Sequence, residues 1–170
     1  MAYALSVSGK LSLNSQLTNA LDLSTPEDHL PFEFSDALET GTGLDGANRV
    51  WSDERTLGAG ANDDHDLTAG LTDAFGNVIV FAALRAIIVY NKGTAAADVL
   101  SIGAAALNPI ASPFGDVTDI VKVGPGGVLF LWNPSLAGYA VTTDAADILR
   151  IHNGGAGDTI YQIILIGSTA

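Results

Sequence analysis

Between the turn signals Gly76-Asn77 and Asn91-Lys92-Gly93 the chain carries a single charge, Arg85, in an otherwise apolar run. Apolar residues fill both alternating sets of positions, which requires a strand covered on both faces. Ile87, Ile88 and Val89 are β-branched, which suits a pleated strand and restricts side-chain freedom in a helix. Phe81-Ala82-Ala83-Leu84 is less β-like, so a bulge or one helical turn is expected there. The run falls short of the ~18 apolar residues of a membrane span, and Arg85 divides it. A buried strand of this kind needs two further layers, and the rest of the chain must supply them.

The remaining segments read as short strands between turns. Tyr3 to Leu13 alternates Leu5, Val7, Leu11 and Leu13 with serines and Lys10, as a half-buried strand does, with Gly9 a bulge or close contact. After a turn expected at Asn14-Ser15, Leu17, Leu21 and Leu23 continue the alternation. Thr25-Pro26-Glu27-Asp28 reads as a turn. Leu30, Phe32 and Phe34 form another alternating strand, which Pro31 assigns to a sheet edge. Residues 39–48 read as a loop, Arg49–Arg55 as a strand, 58–65 as a loop and Asp66–Thr68 as a short strand. Further strands are expected at 98–102, 119–123, 128–132, 139–141, 147–152 and 159–166. Gly124-Pro125-Gly126-Gly127 reads as a hairpin turn. The segment Ile88…Asn91-Lys92-Gly93…Asp98 echoes Arg150…Asn153-Gly154-Gly155…Asp158, and both are expected to be hairpins. Ten to twelve short strands without an amphipathic helix imply an all-β fold, a jelly-roll-like antiparallel β-sandwich. Residues 1–170 are expected to form a single domain, with 1–23 as an N-terminal arm or edge strands.

Composition narrows the function classes. The net charge is −12, from 19 acidic and 7 basic residues, which disfavours a phosphate backbone as partner. Charged residues are only 15% of the chain, against about 25% in typical domains. A surface so poor in charge is expected to be partly hidden against other subunits. The competing reading is that Ala and Gly dilute the charge without creating sticky patches. Cysteine is absent, so disulfide and thiolate chemistry are excluded. The N-terminal residues lack the cationic start and apolar stretch of a signal peptide.

Chemistry-bearing motifs are sparse. Asn62, Asp64, Asp66 and Asp73 fall at positions one, three, five and twelve of a calcium-loop pattern, with suitable oxygen donors. Leu67 stands where the sharp turn needs Gly, and Asp73 replaces the longer bidentate Glu, so a solvated loop is the competing reading. His29, His65 and His152 form no ligand pair by spacing. No nucleophile elbow or phosphate loop is present. No catalytic residue and no cofactor is therefore assigned. Trp51, Trp132, Tyr90, Tyr139 and Tyr161 could form a sugar platform, although Trp132 and Tyr161 lie in apolar strands where packing is the default.

Trp51-Ser52-Asp53-Glu54-Arg55-Thr56-Leu57, Asp66-Leu67-Thr68, Leu71-Thr72-Asp73, Gly76-Asn77-Val78, the Gly-Pro-Gly-Gly turn and Tyr161–Gly167 together resemble small β-rich virion proteins of tailed bacteriophages. The resemblance covers residues 48–168, and some such proteins are head decoration, or cement, proteins. It implies a jelly-roll subunit, commonly a homotrimer, that clamps the major capsid protein on the capsid exterior after synthesis in the host cytoplasm. It carries no catalytic residues. The expected partners are the major capsid protein and further copies of the chain, with no nucleic acid and no membrane. The alternatives are a tail or fibre module that binds host-surface glycans, and a calcium-assisted hydrolase.

Overall fold

In the computed structural model, which describes residues 4–170, twelve strands form and no described residue is helical. In chain order they are β1 (Val7–Thr18), β2 (Glu27–Thr40), β3 (Gly46–Ala47), β4 (Arg49–Leu57), β5 (Asn62–Asp66) and β6 (Ala83–Asn91). There follow β7 (Leu100–Gly103), β8 (Ile120–Val123), β9 (Val128–Trp132), β10 (Tyr139–Ala140), β11 (Ile148–Asn153) and β12 (Thr159–Ser168).

Two antiparallel sheets make a β-sandwich. One runs β4-β12-β6, with β9 and β10 both paired along the far side of β6. The other runs β5-β11-β7-β8. Within the sandwich only β7 and β8 pair with a sequence neighbour; the links from β4 to β5, β6 to β7, β8 to β9 and β11 to β12 all cross between sheets. The inward positions of both sheets form the main core: Trp51, Leu84, Ile87, Val89, Leu100, Ile102, Leu149, Ile151, Tyr161, Ile163 and Leu165. The strands contribute alternate residues, as the pleat dictates, except in β6, where the register shift beside Arg85 puts both Leu84 and Ile87 inward.

The apolar run at 76–91 divides where its residues become less β-like. Only Ala83–Asn91 is a strand, and the segment before it sends Ile79 and Phe81 into the core from a loop. Arg85 is 0% exposed. Its guanidinium donates to the carbonyls of Gly46 (3.0 Å), Ser135 (2.5 Å) and Leu136 (3.0 Å), and more distantly to Thr42 and Gly43. Burial lowers its pKa. The one charge in the run therefore ties two loops to the central strand.

Neither echoed segment is a hairpin. β6 and β7 lie in different sheets, as do β11 and β12, and the shared Asn-x-Gly marks a corner between layers. Asn91 is buried; its amide donates to the carbonyls of Asp98 and Val123, and its Oδ1 accepts from the Gly93 N–H. Asn153 repeats the device, donating to the carbonyls of Leu57, Gly58 and Gly157 and accepting from the Gly155 N–H. Such side chains satisfy backbone groups that the sharp crossing would otherwise leave unpaired. Gly124–Gly127 likewise carries β8 into the opposite sheet instead of closing a hairpin.

β1 and β2 form a third layer, a long antiparallel hairpin with twelve paired positions from Val7↔Leu38 to Thr18↔Glu27. No turn forms at Asn14-Ser15; β1 runs through it, and the reversal spans 19–26, closed by Asn19 N–H to Pro26 O and Leu21 N–H to Ser24 O. The expected N-terminal unit 1–23, whose first three residues lie outside the described ones, is therefore half of a hairpin that ends at Thr40.

Candidate functional site

Alternation in β1 and β2 places Val7, Gly9, Leu11, Leu13 and Leu17 on one face with Leu38, Asp36, Phe34, Phe32 and Leu30. Ser15 and Asp28 share that face, while Ser8, Lys10, Ser12, Ser35, His29 and the glutamates occupy the other. The root of the apolar face is seated on the outer side of the β4-β12-β6-β9 sheet. There Leu38 and Ala47 are buried with Ala86 and Ile166, and Leu5, Val7, Trp132 and Ile164 pack round them. Phe34 meets Phe130 and Trp132 edge-on, with ring centroids 6.3 and 6.2 Å apart. The Trp132 indole N–H donates to Asp36 at 2.8 Å. Gly9 permits this approach, because a Cβ there would stand 2.7 Å from the Trp132 ring.

Beyond that seat the apolar face continues without a cover. Every residue from Lys10 to Glu33 is exposed. Leu13 is 54%, Leu17 72%, Leu30 62% and Phe32 52% exposed. At ~3.3 Å per residue, β1 carries this face ~30 Å beyond Gly9. The hairpin is thus an arm whose apolar stripe is half used within the chain.

A second cluster sits between the edge strands β4 and β5. Tyr161, 0% exposed, donates its hydroxyl to Asp63 at 2.5 Å and lies 3.0 Å from His65 Nε2. Arg55 bridges Asp63 (3.1 and 3.2 Å) and Asp53 (2.9 Å), and its guanidinium lies over the Trp51 ring. Burial lowers the His65 pKa. Burial, reinforced by the bond to Asp63, raises that of Tyr161. The partners are mutually satisfied, and the cluster latches the open edge of the sandwich. Residues 62–65 of the segment expected to be a loop belong to β5, which ends at Asp66, where a short strand to Thr68 is expected to begin. The inward side chains of β5, Asp63 and His65, are polar because they belong to this latch. All five residues of Asn62–Asp66 are polar, so no alternation in the sequence marks the strand.

The calcium-pattern residues are not gathered. Asn62 bonds His152 (2.9 Å), and Asp64 holds Arg150 in a two-pronged ion pair (2.7 and 2.7 Å). Asp66 accepts from Thr68 and Ala69, and Asp73 caps the turn at Phe75 and Asn77. Among the described residues no group of three His, Asp or Glu side chains is placed to hold a metal ion. His29 pairs with Glu27 on the arm, far along the chain from His65 and His152. The five aromatics form no platform: Trp51 and Tyr161 are core, Trp132 lies under the arm, Tyr139 packs against the core, and Tyr90 is exposed.

Comparison with protein families, characterised proteins and solved structures gives no match for this chain.

Proposed function

We propose that this protein is a virion structural subunit, a capsid decoration protein that stabilises a tailed-phage shell by binding between major capsid subunits on the outside. The observation that carries the proposal is the arm, with an apolar stripe extending well past its seat on the sandwich. The reading assigns the protein no reaction, because its polar clusters are spent on internal bonds. The sandwich has β4-β12-β6-β9 opposite β5-β11-β7-β8. We read this order as a jelly roll, a ribbon of paired strands wound round a barrel. The phage resemblance and the scarcity of surface charge support the same reading. The tail or fibre alternative draws no support from the dispersed aromatic residues.

The test is co-sedimentation of the purified protein with heads assembled from the cognate major capsid protein. The expected result is saturable binding and a higher head-disruption temperature. Protein remaining in the supernatant at micromolar head subunit concentration would overturn the proposal.

A further inference from the structure

We infer that the distal arm of one subunit lies across the outer face of the β4-β12-β6-β9 sheet of a second copy, linking copies of this chain. The inference rests on reading the protein as an assembly subunit and names the partner of its arm. Three observations carry it.

The first is continuity. The apolar stripe of β1 and β2 already packs on this sheet face within its own chain, through Leu38, Phe34 and Val7 against Ala86, Phe130 and Trp132. Beyond Leu11 the pleat continues and the same face carries Leu13, Phe32, Leu30 and Leu17 with Ser15 and Asp28 among them, so its distal half fits a similar, mainly apolar surface. The second is an uncovered remainder on that surface. Val128 pairs with Tyr90 across β9 and β6, and Tyr90 pairs with Gln162 on β12, two residues from Ile160. Val128 (58%), Tyr90 (37%) and Ile160 (41%) are exposed, on the same outer face as the residues the root covers. Donor and acceptor are thus both strand-built and half used, and on the sheet the apolar side chains stand beside the hydrogen-bonded Glu54, Lys92 and Gln162.

The third is area. The chain exposes 9327 Å², whereas a monomeric protein of 17.4 kDa is expected to expose ~7,900 Å². The excess is ~1,400 Å². A subunit giving its arm to one neighbour and receiving an arm from another would bury ~1,600 Å², at the standard ~800 Å² per partner. An arm-to-sheet contact joins two different patches, so it closes into a ring when the rotation allows.

The absence of cysteine makes the contact directly testable in the full chain. Phe32→Cys on the arm and Val128→Cys on the sheet change exposed positions and leave the core untouched. The two single variants are mixed, allowed to exchange, and treated with a bismaleimide spanning the ~10 Å between packed sheets. The expected result is a crosslinked dimer in the mixture and little in either variant alone. A Lys122→Cys variant, on the outer face of the other sheet, is expected to give none with Phe32→Cys. Adding Leu13→Asp to the arm variant is expected to abolish the band. Equal crosslinking of Phe32→Cys with itself would overturn the inference in favour of arm-to-arm pairing. No crosslink in any mixture would overturn self-association altogether. Head binding separates this inference from the proposed function: crosslinking without head binding sinks the decoration role alone, and head binding without crosslinking sinks only the arm-to-sheet contact.

Discussion

Replacing Arg85 by Met keeps most of the apolar stem and removes the guanidinium. In the native chain that group is fully buried, and among the described residues its partners are carbonyls, with no carboxylate in ion-pair range. Its three shorter bonds hold Gly46, Ser135 and Leu136. Hydrogen bonds to a charged group each contribute about 1.5–3 kcal/mol net. The desolvation of an uncompensated cation offsets part of that, and the freed loop carbonyls of Ser135 and Leu136 regain some water. The expected loss is about 3 kcal/mol. At ~2–4 °C per kcal/mol for a chain of this size, Tm should fall by ~6–12 °C. Differential scanning calorimetry reads the shift. Arg85→Lys should lose much of the same stability, because an ammonium cannot span the fork of acceptors. The loop tied by Arg85 leads into β3, which pairs with the end of β2 at Glu39 and Thr40, so the variant should also expose the Trp132 seat to quenchers. A Tm within ~2 °C of wild type would refute the argument that these bonds outweigh burial of the charge.

Gly9→Val should push the arm root off Trp132, costing ~1–3 kcal/mol and reddening tryptophan emission; unchanged emission would contradict the seat. Tyr161→Phe should cost ~2 kcal/mol by removing the donor to Asp63, measured by urea midpoint; a neutral effect would show that the latch is idle. Because burial lowers the His65 pKa, the unfolded chain takes up the proton first. Stability should therefore be complete above about pH 6.5 and fall as pH drops below it. The carboxylates of Asp64, held low by its bond to Arg150, and of Asp73, held low by the Asn77 amide, add further loss below about pH 4. A urea midpoint constant from pH 7.5 to 5 would contradict the His65 argument. Millimolar calcium should leave Tm unchanged, since Asn62, Asp64, Asp66 and Asp73 are committed to separate partners; a rise of several degrees would return the ion site.

How far the sequence discloses this molecule depends on what each strand buries. β12 was legible, because Tyr161, Ile163 and Leu165 alternate against an apolar core. β5 was not, because its inward residues are Asp63 and His65. A polar latch reads as a loop when alternation is judged by hydrophobicity. The two Asn-x-Gly corners echo each other in the sequence, and their letters predict hairpins. A buried Asn that satisfies a crossing and a turn Asn that tops a hairpin share the same local letters, and only the pairing of distant strands separates them. The arm was half visible. The alternation from Leu5 to Leu23 points to a half-buried strand, a turn at Asn14-Ser15 and an arm or edge, but the pairing that makes β1 continuous is set by the register with Leu30 to Leu38. Nothing in the spacing of the calcium-pattern residues shows that a strand would splay them onto separate partners.

The most direct test of the central claim, that the arm is an assembly surface, is the solution mass by size exclusion with light scattering across a concentration series. The expected result is a discrete species at a multiple of 17.4 kDa, collapsing to a folded single chain when Leu13 and Phe32 are both changed to Asp. A wild-type mass of one chain at every concentration would contradict it.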